Sequence, residues 1–254
     1  MLVATMKSKC DSLKRIQASL IFIDPPYGWN VVKAWDKKSD IWNSEYWYGV
    51  LRSLDTIIGE GTCMCIFGDV FNVLPPLMRA LSKYNDEHEK LSKGLWTKPT
   101  QMTFNKTNHT NKSNSPYSHS IENAFLFWFK SVPRMSKLPH ELGGNLLFGP
   151  KVAGKRALCN ESGKMINPCQ KSPLWLKILV DNHAKPDTIV LDLTAGSMSS
   201  YFACYFADVS LHWVGADIGP ETINNFKFLY KGARKSDSWF INFVQGKLLL
   251  VVLK

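Results

Sequence analysis

The sequence predicts an α/β fold: a mostly parallel sheet with helices on both faces. Three observations carry that expectation. Seven short apolar runs recur through the 254 residues, most of them separated by stretches with the apolar spacing of an amphipathic helix. Two runs end in an aspartate followed by a stiff or small-residue turn, as strands do where open α/β sheets hold their ligands. With 45% hydrophobic residues the chain can bury one full core, so a single domain over residues 1–254 is expected.

The first strand is expected at Leu20 to Asp24, from the unbroken Leu20-Ile21-Phe22-Ile23. A helix over Glu45 to Ile58 leads to a strand at Thr62 to Phe67, where Cys63 and Cys65 alternate with Met64 as small core or edge residues. A helix at Val70 to Lys83 follows, then strands at Thr100 to Phe104 and Ala124 to Phe129. In the second half, a helix at Pro173 to Asn182 carries proline in its first turn and precedes a strand at Thr188 to Leu193. A helix at Ser199 to Ala207, a strand at Trp213 to Ile218, a helix at Glu221 to Tyr230 and a strand at Trp239 to Val244 continue the alternation. The closing "KLLLVVLK" reads as an added edge strand.

Two stretches break this pattern. "NKTNHTNKSNSPYSHS", Asn105 to Ser120, is polar and asparagine-rich and is expected to be a mobile exposed loop. Ser131 to Gln170 holds Gly143-Gly144, Gly149-Pro150 and the basic "KVAGKR". Either stretch would suit a charged polymer or an ordinary solvated surface. The balance of 31 Lys+Arg against 21 Asp+Glu leaves +10, the sign expected for a phosphate-rich partner. Six cysteines without any Cys-x-x-Cys pair indicate neither a disulfide framework nor a zinc site, and no metal is expected. No apolar run reaches the roughly 18 residues of a membrane helix, and Met1 to Lys9 lacks a signal core. A soluble intracellular protein is expected, cytoplasmic in a prokaryote or virus and nuclear in a eukaryote.

Chemistry is concentrated in two places. In "IFIDPPYGWN", Pro25 and Pro26 fix the backbone directly after Asp24, so the carboxylate and the Tyr27 ring stand on a stiff corner at a strand's carboxyl end. In "DTIVLDLTAGSMSSYFACYFADVSLHWVGADIGPE", a strand ends at Asp192, the small turn Ala195-Gly196-Ser197 follows, and the next strand ends at Asp217. That order matches the nucleotide-binding βαβ plan, in which glycine admits the ligand and the second acid takes ribose hydroxyls. The plainer alternative makes Asp192 and Asp217 strand-end acids that cap neighbouring helices.

Asp24-Pro25-Pro26-Tyr27 resembles the catalytic motif of the S-adenosylmethionine-dependent DNA methyltransferases that modify exocyclic amines of nucleobases. "VLDLTAGS" resembles their cofactor motif, and "QKSPLWLKILVDNHAKP" the Lys-Pro helix that precedes it. "LWTKPTQ" and "SHSIENAFLFWFK" are similar to the Trp-x-Lys element and to the His-Glu strand closing the catalytic half. The catalytic motif comes first, which is the circularly permuted, β-class order. Similarity covers nearly the whole chain, least over Ser131 to Gln170.

The resemblance implies a seven-stranded, Rossmann-like sheet, mostly parallel with one antiparallel strand. It implies a catalytic half over 1–130, a target-recognition insertion over 131–170 and a cofactor-binding half over 171–254. S-adenosyl-L-methionine would be the cofactor and double-stranded DNA, with a base flipped out, the substrate. A homodimer or a partner subunit remains open. Asp24 and the Pro25 carbonyl would accept the hydrogens of the target amine, held by Pro25 and Pro26, while Tyr27 stacks on the base; Trp29 is a weaker candidate. Asp217 would bind the ribose, with Asp192, Thr194, Ala195, Gly196, Ser197 and Lys171 along the methionine end. Lys171 alone reads equally as a solvent-facing residue before a helix capped by Ser172 and Pro173.

An aspartate in the first motif position implies adenine N6 as the target, with cytosine N4 the alternative. Thr194 and Met198 stand where the family has phenylalanine and glycine. A chain that kept the fold with such a turn would serve as a non-catalytic nucleic-acid-binding or partner subunit.

Overall fold

The computed structural model describes residues 17–25, 43–106, 121–133, 146–149, 170–207, 209–217, 238–244 and 247–253. These fall into two compact units, one within Met1–Met102 and Glu122–Arg134, the other within Thr103–Ile121 and Met135–Lys254. The helix expected at Glu221 to Tyr230 lies outside the described residues, as do Pro26, Tyr27 and Trp29.

In the first unit, strand β1 (Ala18–Ile23) is buried along its whole length, as its unbroken apolar run requires. It pairs in parallel with β2 (Ile58–Phe67), Leu20 facing Cys63 and Ile23 facing Ile66. Between Ala18 and Leu20 the register shifts, and β2 carries Gly59 and Gly61 there. β2 starts earlier than the expected Thr62 because Ile58 already pairs with Ala18. Thr62 bridges the irregularity: its hydroxyl donates to the Ala18 carbonyl at 2.6 Å and accepts the Gly59 N–H at 2.9 Å. Cys63 and Cys65 are buried on β2, core residues as expected, and burial pushes the Cys63 thiol pKa up. Antiparallel to β2 runs β4 (Ile121–Trp128), with Phe67 facing Ala124.

Helix α1 (Ser44–Leu54) begins where Asn43 accepts the Glu45 N–H at 2.9 Å, and it buries Trp47, Leu51 and Leu54 along one face. It stops four residues short of the expected Ile58, because Ile58 is already paired with Ala18 in the sheet. Helix α2 (Leu74–Lys90) also departs from the expected Val70 to Lys83. Its start moves because Asp69 takes the N–H groups of Phe71 and Asn72 and holds Val70 to Val73 in a turn, after which Pro75 opens the helix. Its end moves because Leu77, Leu81, Tyr84 and His88 continue one buried stripe through a polar stretch. There the Tyr84 hydroxyl donates to Asp55 at 2.5 Å and its ring stacks on His88 at 3.8 Å.

In the second unit, β3 (Thr100–Lys106) pairs in parallel with β5 (Leu146–Gly149) from Thr103 onward. β5 was not expected; it falls inside the stretch read as an insertion. β3 also takes in Asn105 and Lys106, assigned to the loop by sequence; 107–120 lie outside the described residues. Helix α3 (Pro173–His183) precedes β6 (Ile189–Asp192), which pairs in parallel with β7 (His212–Asp217), the two joined through α4 (Ser199–Tyr205).

β8 (Ser238–Val244) and β9 (Lys247–Leu253) form an antiparallel pair, and β9 pairs antiparallel with β7 as well. The expected edge strand "KLLLVVLK" is therefore an inner strand of this unit, flanked on both sides. The α/β class and its parallel pairings agree with the sequence. Nine strands are described rather than seven, with antiparallel pairing at β2–β4, β7–β9 and β8–β9.

His183 closes α3, where the helix dipole favours a charged imidazole by up to about 2 kcal/mol. Burial wins: desolvation lowers its pKa from 6.5 to about 4. The unfolded chain therefore binds the proton more readily, so stability is full above pH 6.5 and falls as pH drops toward 4. The expected loss is about 3 kcal/mol. Urea unfolding across that window checks it, and His183→Gln should flatten the slope.

Candidate functional site

In the first unit the site is the end of β1. Six buried residues deliver Asp24, half-buried, and then Pro25, buried. Parallel pairing sets Ile23 opposite Ile66, so Asp24 leaves the sheet at the same edge as the loop after Phe67. That loop is tied down: the Gly68 N–H donates to the Asn123 carbonyl at 3.1 Å, and the Gln101 amide donates to the Asn123 side chain at 3.0 Å.

In the second unit the site is the turn after β6. Asp192 is buried. Its Oδ1 accepts the Thr194 N–H at 2.9 Å and lies 3.4 Å from the Thr194 hydroxyl, and its Oδ2 accepts the Ser200 hydroxyl. The Trp213 indole N–H in turn donates to Ser200 at 3.0 Å. Ser200 and Trp213 thus fix the turn's first acid. Neither is marked by any spacing in the sequence, since they meet Asp192 from a helix and from the neighbouring strand.

Asp192 faces Gly215 across β6–β7, which sets Asp217 two residues beyond it at the same edge. The Asp217 Oδ2 accepts the Gly196 N–H at 2.6 Å, and Ala195 N–H donates to the Ala216 carbonyl at 2.8 Å. The turn is thus bonded to the end of β7. Leu193, Thr194, Gly196 and Asp217 are each partly exposed, while Ala195 and Ser197 are buried. Gly196, at φ 44°, leaves bare backbone beside the Asp217 carboxylate. A ligand carrying a diol fits that pairing of a carboxylate acceptor with a surface lacking Cβ.

Met198 sits at φ 64° and ψ 22°, the left-handed region glycine favours, and is 0% exposed. The backbone at this position keeps the glycine-type conformation while the thioether packs into the core. Met198→Gly would relieve about 1–2 kcal/mol of backbone strain and forfeit about 2–5 kcal/mol of buried side chain. A net destabilisation, read as a lower Tm, is the expected result.

Gly215 has a similar steric demand. A Cβ there would lie 2.0 Å from the Trp213 ring, so Gly215→Ala should displace the indole from Ser200 and cost about 1–3 kcal/mol. Lys171 is 7% exposed, which removes the solvent-facing reading. Ser172 holds the N-cap position of α3 without a side-chain capping bond.

Among the described residues, no group of three or more His, Cys, Asp and Glu could hold a metal ion, and no helix is long and apolar enough to cross a membrane.

The fold is shared with solved structures that include a DNA methyltransferase. The chain is similar to the crystal structure of the M1.HpyAVI–SAM complex, at TM-score 0.56 and 17% identity over 88% of this chain and 94% of that one. It is similar to the cytosine-N4-specific PvuII DNA methyltransferase at TM-score 0.62 and 15% identity, over 89% and 83%. It is also similar to TTHA0409 from Thermus thermophilus complexed with S-adenosyl-L-methionine, at TM-score 0.52 and 16% identity over 85% and 87%. At these identities the likeness is one of fold. No protein-family model and no curated protein matches the chain.

Proposed function

We propose that this chain is a DNA methyltransferase that transfers the methyl group of S-adenosyl-L-methionine to the exocyclic N6 amine of adenine. The observation that carries the reading is the corner after β1, where a buried strand ends in a half-buried Asp24 and a buried Pro25. The amine of adenine is a poor nucleophile because its lone pair is delocalised into the ring. Two acceptors aimed at its hydrogens restore tetrahedral character at nitrogen, and the Asp24 carboxylate and the Pro25 carbonyl supply them. Proline stiffness fixes both before substrate arrives. Tyr27 stacks on the extruded base, since the amine is out of reach while the base is paired. Asp24 need not be a strong base, because the amine proton becomes acidic once nitrogen is methylated.

The bound cofactor supplies an electrophilic methyl on a sulfonium. Asp217 accepts from its ribose hydroxyls, Gly196 lets the backbone approach, and the Asp192–Ser197 turn with Lys171 lines the methionine end. The inward packing of Met198 supports a turn that still admits this ligand. A homodimer is compatible with this chemistry.

Incubation of unmethylated DNA with methyl-labelled cofactor, followed by nucleoside mass spectrometry, tests the reading. N6-methyladenine with wild type, and far less of it with Asp24→Ala in the same time, is expected. N4-methylcytosine instead would reassign the base, and no methylated base beside a working positive control would overturn the activity.

A further inference from the structure

Among the described residues of the first unit, Phe71 is the aromatic side chain most open to water. Phe71 is 86% exposed, beside the exposed Val70. Single exposed apolar residues such as Leu91 need no explanation, but Phe71 differs in how it is held and where. Asp69 Oδ1 accepts the N–H of Phe71 at 2.8 Å and of Asn72 at 2.6 Å, and Asn72 donates back to Asp69 Oδ2 at 3.1 Å. Behind the turn Val73 is fully buried, so close to Gly68 that a Cβ there would lie 2.7 Å from the Val73 side chain. The ring is therefore presented on a clamped turn. Through the Ile23–Ile66 register, that turn leaves the sheet at the same edge as Asp24, from the adjacent strand.

We infer that Phe71, with Val70 beside it, is a DNA contact that stacks on the base pair flanking the extruded base. The inference rests on the proposal that the chain acts on DNA. Extruding a base removes stacking from its neighbours, and an apolar wedge held at that point replaces it. The +10 charge of the chain favours the same partner, a phosphate polymer. A flexible loop would pay an ordering cost to place the ring; the Asp69 turn has placed it already.

The test compares wild type, Phe71→Ala, Phe71→Trp and the control Leu91→Ala. Affinity for a mixed-sequence 30-base-pair duplex, and for either strand alone, is read by fluorescence anisotropy. Methylation of unmethylated plasmid DNA is read as kcat/KM, and cofactor affinity by calorimetry. Phe71→Ala should weaken duplex affinity and kcat/KM about tenfold, the loss of one stacking contact. Affinity for the single strands and for the cofactor should stay within about twofold, Phe71→Trp should restore duplex binding, and Leu91→Ala should change nothing. Unchanged duplex binding and kcat/KM in Phe71→Ala would overturn the contact, as would an equal loss on single strands. A wild-type chain that binds duplex in a Phe71-dependent way but methylates nothing would remove the methyltransferase reading and leave the contact standing.

Discussion

Asp24→Ala is expected to lower kcat/KM on DNA by about 10²–10³-fold, the usual effect of removing one preorganised polar group from a charge-developing centre. The loss should fall on kcat, because the acceptor matters most as nitrogen turns tetrahedral. Folding should be spared: Asp24 lies beyond the last buried residue of β1 and is half-buried itself. Asp24→Asn keeps an acceptor oxygen and loses the charge, so an intermediate loss of about 10–100-fold should separate hydrogen bonding from charge. Single-turnover kinetics with saturating cofactor reads the chemical step directly. Methylation by Asp24→Ala at a rate within about threefold of wild type would exclude Asp24 as the acceptor of the amine hydrogens.

The second large effect concerns the cofactor. Asp217→Ala removes the acceptor proposed for the ribose and also releases the Gly196 N–H that Oδ2 holds at 2.6 Å. Each charge-assisted bond contributes about 1.5–3 kcal/mol, so cofactor affinity should fall about 10–100-fold in calorimetric titration. Asp217→Asn can still accept from Gly196 and should lose less. Together the pair separates direct binding from the tethering of the turn. Unchanged cofactor affinity in Asp217→Ala would contradict the assignment.

Much of the fold was legible because it is written in unbroken apolar runs. β1, β6 and β7 lie within a residue or two of their expected places, since burial on both faces leaves no room for polar interruption. What escaped was set by tertiary pairing. β2 starts among glycines because Ala18 lies beside Ile58, and β9 lies inside its unit because β7 and β8 flank it, facts no local pattern contains. Pro25 is legible as a stiff corner from its chemistry alone. The fastening of Asp192 by Ser200 and Trp213 is not, because it is made between elements. Met198 is legible only in part for a related reason: the sequence shows a bulky residue where the resembled family has glycine, but not that the side chain turns inward.

Trp213 and Gly215 have a consequence for how such a sequence can change over generations. The indole occupies the space a Cβ at 215 would need, so the two positions are not free to drift separately. A lineage can gain a side chain at 215 only after the tryptophan has been exchanged for something smaller, and the reverse order passes through a weakened intermediate. Descendants of this chain should therefore show a glycine at 215 wherever they keep the tryptophan, and tolerate alanine there only where it has gone.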